Sequence, residues 1–269
     1  MGLEKAVERL AGRLSGEPEI KAVGLCGKNK PLPAAGESDI DIFAYCADVP
    51  PVAKRVEIYC GLDGSLQNCS YNAVSGGRWG DGDCLLINGV ETWVMYYTVR
   101  EAEAEVDAIL NGHYEGRTDG GFYPTGRLQM IREFKVYHDD GFLLSLQRKV
   151  SDFPGGFAKK LLDFHIRGLS DEEDLTRAVL KKDVLFYHFA LDAALDHFLI
   201  ALYALNGAFF PSRKRNMEAI ASFKLKPEAC EKLLADTVLY GGRPESLHLS
   251  LETWNKLSVW MVSAACGTV

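Results

Sequence analysis

Apolar positions follow two different rhythms along the chain, and the change of rhythm divides it. Between Leu3 and Leu14 the apolar residues are Leu3, Ala6, Val7, Leu10 and Leu14, a helical stripe that Gly16 ends. Ile20 to Cys26 then reads as a buried strand. After a loop carrying Gly27, Pro31, Pro33 and Gly36, a second strand runs from Asp39 to Tyr45. Cys84 to Ile87 and Val90 to Thr98 flank Asn88-Gly89, which predicts a hairpin with a type I′ turn. Thr98-Val99-Arg100-Glu101 has capping-box spacing and predicts a helix to about Leu110.

From about residue 157 helical periodicity dominates. Ser170-Asp171-Glu172-Glu173 is a second capping box, Asp183 to Asn206 is a long apolar helix that needs neighbours on most sides, and Pro227 precedes a helix over 228–239. Turn-forming stretches at 139–141 and 153–156 separate the halves. The expected fold class is α+β, with a mixed-sheet domain over residues 1–140 followed by an α-helical bundle domain over 141–269.

Composition narrows the function classes. The 269 residues are 47% apolar and 25% charged, which excludes wholesale disorder, and the formal net charge of -7 argues against bulk nucleic acid as a partner. The first twenty residues are amphipathic and charged, unlike a signal peptide. His188, Asp192, Asp196 and His197 cut the most apolar stretch, so no run reaches the roughly 18 uninterrupted apolar residues of a membrane span. Seven cysteines without a C-x-x-C pair suit free thiols rather than zinc. A soluble, cytoplasmic protein without a membrane partner is expected.

The sharpest chemical feature is Ser38-Asp39-Ile40-Asp41-Ile42. Two aspartates one residue apart on a strand project from one face, roughly 7 Å apart at Cα. Burying bare carboxylates at an apolar strand is costly unless a cation compensates. Divalent ions bridging such a pair suit phosphoryl or nucleotidyl transfer, and Mg²⁺ prefers one or two carboxylates plus phosphate oxygens. The alternative is a pair of aspartates that cap loop amides.

Upstream, Gly24-Leu25-Cys26-Gly27-Lys28 ends the first strand in a glycine, and ten residues separate Lys28 from Asp39. Together with Ser38-Asp39-Ile40-Asp41-Ile42 this stretch resembles the signature of the DNA polymerase β-like nucleotidyltransferase superfamily. That signature is an apolar strand, Gly-Gly or Gly-Ser, a spacer, then two aspartates alternating with apolar residues. A looser likeness extends to bacterial nucleotidyltransferase-like proteins with a C-terminal helical domain and to the two-part plan of kanamycin-type nucleotidyltransferases.

The resemblance implies that Asp39 and Asp41 hold Mg²⁺ and that Gly27 and its neighbours, Lys28 and Ser38 among them, contact the triphosphate of a bound NTP, with ATP as the expected one. Lys28 stands where the family has Gly or Ser, and supplies a point charge instead. A third carboxylate from a neighbouring strand usually completes the site. At that position this chain has Trp93, with Glu91 two residues earlier on the same strand face, and Asp81 and Asp83 are further candidates. The implied activity is Mg²⁺-dependent transfer of a nucleoside monophosphate from an NTP to a small-molecule or protein acceptor, with Asp39, Asp41 and Glu91 as the catalytic set. The alternative is a nucleotide-binding or partner-binding module left idle by loss of the third carboxylate.

Other segments carry two readings each. Ser212-Arg213-Lys214-Arg215 either meets a triphosphate, through Arg213 and Lys214, or is a solvated basic turn. Tyr123-Pro124-Thr125-Gly126-Arg127 reads as a turn that brings Arg127 to the nucleotide. His188 and Asp192, at i and i+4, either satisfy each other or place His188 beside a ligand, with Asp196 and His197 further along. Trp79, Trp93, Tyr96 and Tyr97 are core aromatics or include a stacking platform. Ser75-Gly76-Gly77 and the glycines of 116–121 match no P-loop or dinucleotide fingerprint.

Overall fold

The structure, a computed structural model, describes residues 1–27, 31–76, 80–113, 122–169 and 173–267. It forms two compact units: Met1–Ala108 with Arg127–Asp152, and Ile109–Gly126 with the chain from Phe153 onward. The architecture is α+β, a six-stranded mixed sheet with its helices followed by a helical region. The junction expected at 140 falls between two elements of the first unit.

In the sheet unit, α1 (Leu3–Ser15) precedes β1 (Ile20–Leu25) and β2 (Ile40–Cys46), then α2 (Val52–Cys60), β3 (Leu66–Val74), β4 (Asp81–Ile87) and β5 (Val90–Thr98). Helices α3 (Val99–Leu110) and α4 (Pro124–Arg132), whose residues after Ala108 and before Arg127 belong to the other unit, β6 (Lys135–Asp139) and α5 (Phe142–Lys149) follow. The strand order is β3-β4-β5-β2-β1-β6, antiparallel throughout except that β2 and β5 run parallel. The hairpin turn has Asn88 at φ 50° and Gly89 at φ 79°, the two left-handed residues a type I′ turn requires. The capping box at α3 is complete. Thr98 N–H donates to Glu101 Oε2 at 3.2 Å, and Glu101 N–H returns to Thr98 Oγ1 at 3.2 Å. Residues 123–127 are no turn: Pro124 opens α4, where its missing N–H costs nothing.

Period-two alternation sorts the sheet into two faces. Ile20, Val23, Leu25, Ile40, Ile42, Ala44, Val94 and Leu85 face the apolar stripe of α1 and residues Ile58, Tyr59 and Leu62, forming one buried core. A charge is buried on this same face. Asp83 is 0% exposed and is fully engaged. Arg55 Nη1 donates to its Oδ1 at 2.5 Å, Tyr59 O–H to its Oδ2 at 2.7 Å, and Asn72 N–H to Oδ1 at 2.9 Å. Because the Tyr59 hydroxyl donates to Asp83, the Tyr96 hydroxyl 2.7 Å away donates to Tyr59. Burial, then Tyr96 and Asp83, push the Tyr59 hydroxyl far above its ordinary range.

The helical unit contains α6 (Gly155–Leu169), α7 (Glu173–Lys181), α8 (Val184–Leu205), α9 (Asn216–Ser222), α10 (Cys230–Tyr240) and α11 (Leu247–Ala265). Ser170, which opens the second predicted capping box, lies outside the described residues. Asp183 caps α8 by accepting from Phe186 N–H at 3.0 Å. Helix α8 packs against α6, α7 and α11, with every residue from Phe198 to Ala204 buried. By length and mean hydropathy it could cross a membrane, alone among the described helices. The helix expected after Pro227 begins at Cys230, because Ala229 turns left-handed at φ 53°.

Two histidines meet between α6 and α8, His165 Nδ1 lying 3.0 Å from His197 Nδ1. His165 is 1% exposed and its Nε2 is buried without a partner. Burial, reinforced by His197, pulls the His165 imidazole down to about 3, and burial also lowers His197.

Two outcomes follow from these buried polar groups. Arg55→Met removes the cation that pairs with the buried Asp83, so the unfolding free energy of the sheet unit falls by roughly 3–5 kcal/mol. An unchanged denaturant midpoint would show that the network contributes nothing. A folded-state pKa below the unfolded value means the His165 contribution is fully present above pH 6.5 and is lost as pH falls. At pH 5 the loss is about 2 kcal/mol. Urea titrations at pH 7.5 and pH 5 followed by far-UV circular dichroism check it: the difference shrinks in His165→Gln.

Candidate functional site

The opposite face of the sheet is apolar at one end and open at the other. Phe43, Tyr45, Met95 and Tyr97 are buried there, with Phe134 5.3 Å and Tyr97 5.9 Å from the Phe43 ring between centroids. Gly24 has no room for a side chain, since a Cβ would stand 2.9 Å from the Phe134 ring. One step back along β2 the cover stops: Asp41 is the single residue of the strand that is not buried. Asp39, one residue before the strand and on the same side by alternation, is exposed and accepts from the Ser38 hydroxyl at 3.2 Å.

Register places Asp41 in a row that crosses the sheet. Cys26 N–H donates to the Asp41 carbonyl at 3.0 Å, Asp41 is aligned with Trp93, and Trp93 with Cys84. Aligned residues on neighbouring strands share a face, so the Trp93 side chain lies beside Asp41. Glu91, two residues earlier, shares that face and is exposed, and its Oε1 accepts from Trp93 Nε1 at 2.8 Å. The two remaining carboxylates considered as third ligands are elsewhere. Asp83 is aligned with Val94 on the core face and is consumed by Arg55, while Asp81 accepts from Ser75 Oγ and Gly76 N–H at 3.1 Å each. Both are therefore structural.

Gly27 follows β1 with φ 77°, a left-handed turn that a residue with a side chain resists. Lys28, expected beside it, lies outside the described residues, as does Trp79. Cys26 is half-buried. Its thiol is pushed well above its ordinary value by burial first and next by the Asp41 carboxylate, with Arg127 pulling the other way.

Arg127 belongs to the same unit and is 4% exposed. Its Nη2 donates to the Tyr97 hydroxyl at 2.7 Å, its Nε lies 3.3 Å from Glu105 Oε2, and its guanidinium lies 4.7 Å above the Tyr97 ring and 5.4 Å above Phe43. That Tyr97 and Glu105 fix this cation was not legible in the sequence, because both are far from Arg127 along the chain and no motif links them.

Arg213 and Lys214 lie in the helical unit. Arg213 Nε donates to Asp196 Oδ1 at 2.6 Å and Nη1 to Asp192 Oδ1 at 2.5 Å, and Tyr123 O–H donates to Asp196 at 2.8 Å. The acidic partner expected for His188, Asp192, is thus bonded to Arg213, while Lys214 is exposed. Tyr96 and Tyr97 are buried and bonded within the sheet unit, which leaves the half-buried Trp93 as the most accessible ring among the described aromatics considered for stacking.

The carboxylates at hand fit a Mg²⁺ ion that shares its coordination with phosphate oxygens, which needs one or two protein carboxylates. They do not make a protein-only cage: among the described residues no three His, Cys, Asp or Glu side chains converge on one cation position.

No protein-family model matches the chain, and no curated protein matches it. Among solved structures, a nucleotidyltransferase-like protein from Exiguobacterium sibiricum 255-15 superposes over 98% of this chain and 78% of its own, with 13% sequence identity and a TM-score of 0.48.

Proposed function

We propose that the sheet unit binds the Mg²⁺ complex of a nucleoside triphosphate at Asp39 and Asp41 and transfers the nucleoside monophosphate group to an acceptor. The observation that carries this reading is the carboxylate pair formed by Asp41, the one unburied residue of an otherwise buried central strand, and the exposed Asp39 just before it, beside the left-handed Gly27 turn. A turn of this kind lets a phosphate approach the backbone closely. Mg²⁺ when bound would neutralise phosphate charge and draw electrons from the α-phosphorus.

In the proposed reaction an acceptor hydroxyl oxygen bonds to the α-phosphorus. The bond from that phosphorus to the bridging oxygen breaks, pyrophosphate leaves with the electron pair, and the hydroxyl proton goes to a carboxylate. Glu91 is the carboxylate on the correct face to take that proton. A chain that works among free thiols, in a reducing cytoplasm, is in keeping with its seven unpaired cysteines.

A second reading is favoured by a specific observation. Trp93 is aligned with Asp41 where the resemblance expects an acid, and Glu91 is engaged by its indole. On that reading the unit holds nucleotide without turning it over.

Calorimetric titration of Mg²⁺ complexes of ATP and the other NTPs tests the shared claim. Micromolar binding that requires Mg²⁺ and weakens by roughly tenfold or more in Asp41→Asn is expected. Absence of binding by every NTP would remove both readings. Pyrophosphate release in the presence of candidate acceptors, lost in Glu91→Gln, separates the enzyme from the idle module.

A further inference from the structure

We infer that Trp93, oriented by Glu91, is the surface on which the nucleobase of the bound nucleotide stacks. The inference rests on the nucleotide reading above and adds to it what recognises the base.

Three observations carry it. Trp93 is aligned residue for residue with Asp41 on the adjacent parallel strand, and neighbouring strands lie about 4.8 Å apart. The indole therefore starts from the strand next to the carboxylate proposed to hold the metal and phosphates, on the same face of the sheet. The indole is half-buried and keeps part of its surface open, whereas the aromatics further along this face, Phe43, Tyr45 and Tyr97, are buried. The ring is also held, because its Nε1 donates to Glu91 Oε1 at 2.8 Å. A hydrogen bond in the ring plane fixes the tilt of the indole and leaves its faces unobstructed by that bond, the arrangement a stacking platform requires.

Toward the base, and apart from the proton-accepting role proposed above, Glu91 has a positioning role through Oε1. Its carboxylate acts on the ligand through the indole, whose rotamer it restrains, so less side-chain freedom is lost when a base arrives. Stacking is tolerant of base identity because every base presents a π-face, so all four common NTPs are accepted, with purines, having the larger ring, held more tightly.

The test is calorimetry with two ligands, Mg²⁺-ATP and Mg²⁺-tripolyphosphate, on the full chain and on Trp93→Leu and Glu91→Ala. Tripolyphosphate has the phosphates and no base. Wild type is expected to bind ATP more tightly than tripolyphosphate. Trp93→Leu is expected to lose roughly 5- to 100-fold in ATP affinity and nothing in tripolyphosphate affinity, which also reports that the variant is folded. Glu91→Ala is expected to lose part of the same increment, and Glu91→Gln, whose amide oxygen still accepts from the indole, to recover it. Equal ATP affinity in wild type and Trp93→Leu, with tripolyphosphate bound by both, overturns the stacking role and leaves the phosphate site standing. Failure of wild type to bind either ligand overturns the nucleotide reading and this inference with it.

Discussion

The register of β2 against β5 is the constraint on which the sheet unit depends. β2 is flanked on both sides, by β1 and β5, so its backbone groups are paired in both directions and it cannot slide without breaking two ladders. Its side chains allow one register only. Ile40, Ile42, Ala44 and Cys46 must meet α1 and the residues around α2, and a slip of one residue would send Asp41 into that core and Ile42 toward solvent. The same register sets Asp41 beside Trp93 and Phe43 beside Met95. The position of the carboxylate is thus a consequence of core packing on the other face.

Carboxylates two strands apart show how environment divides roles. Asp83 sits at full burial and is made tolerable by Arg55, Tyr59 and a backbone N–H, so its charge is already spoken for. Asp39 and Asp41 stand where the sheet face opens to solvent, Asp39 exposed and Asp41 the one residue of β2 that is not buried. Arg127 repeats the contrast among cations: it is fixed by Tyr97, Glu105 and two ring faces and works as a rigid charge that neighbouring groups feel, Cys26 among them. Arg213, paired with two aspartates, braces the segment after α8 against that helix.

Much of this unit was legible in the sequence, and what was missed has a common cause. α1, β1, β2, the Asn88-Gly89 hairpin and the α3 capping box carry strong local signals, an apolar stripe, a buried run or a turn dipeptide, and each is where the pattern puts it. β3 and β6 gave none because they are sheet edges. Leu66–Val74 is largely polar and Lys135–Asp139 is short, as edge strands are when they must not recruit other chains. α4 was hidden because Pro124 and Gly126 read as turn residues, although proline suits a first helical turn and Gly126 is required by the close approach of the Pro211 carbonyl. The aspartate pair was visible as spacing. That Asp83 is structural, or that Trp93 is Asp41's neighbour, depends on strand order and register, which no local pattern encodes.

That an indole and not an acid stands beside Asp41 has a thermodynamic consequence on the proposed reading. A site with three protein carboxylates can retain a divalent ion unaided, whereas two leave most of the coordination shell to water. The ion is then held well only when phosphate oxygens join, and each component raises the affinity of the other by the same factor. A base resting on Trp93 enters that cycle as well, since contact at the ring restricts the phosphates to the neighbourhood of Asp39 and Asp41. Metal, phosphate and base recognition become one coupled event at a row of residues that a single strand register aligns.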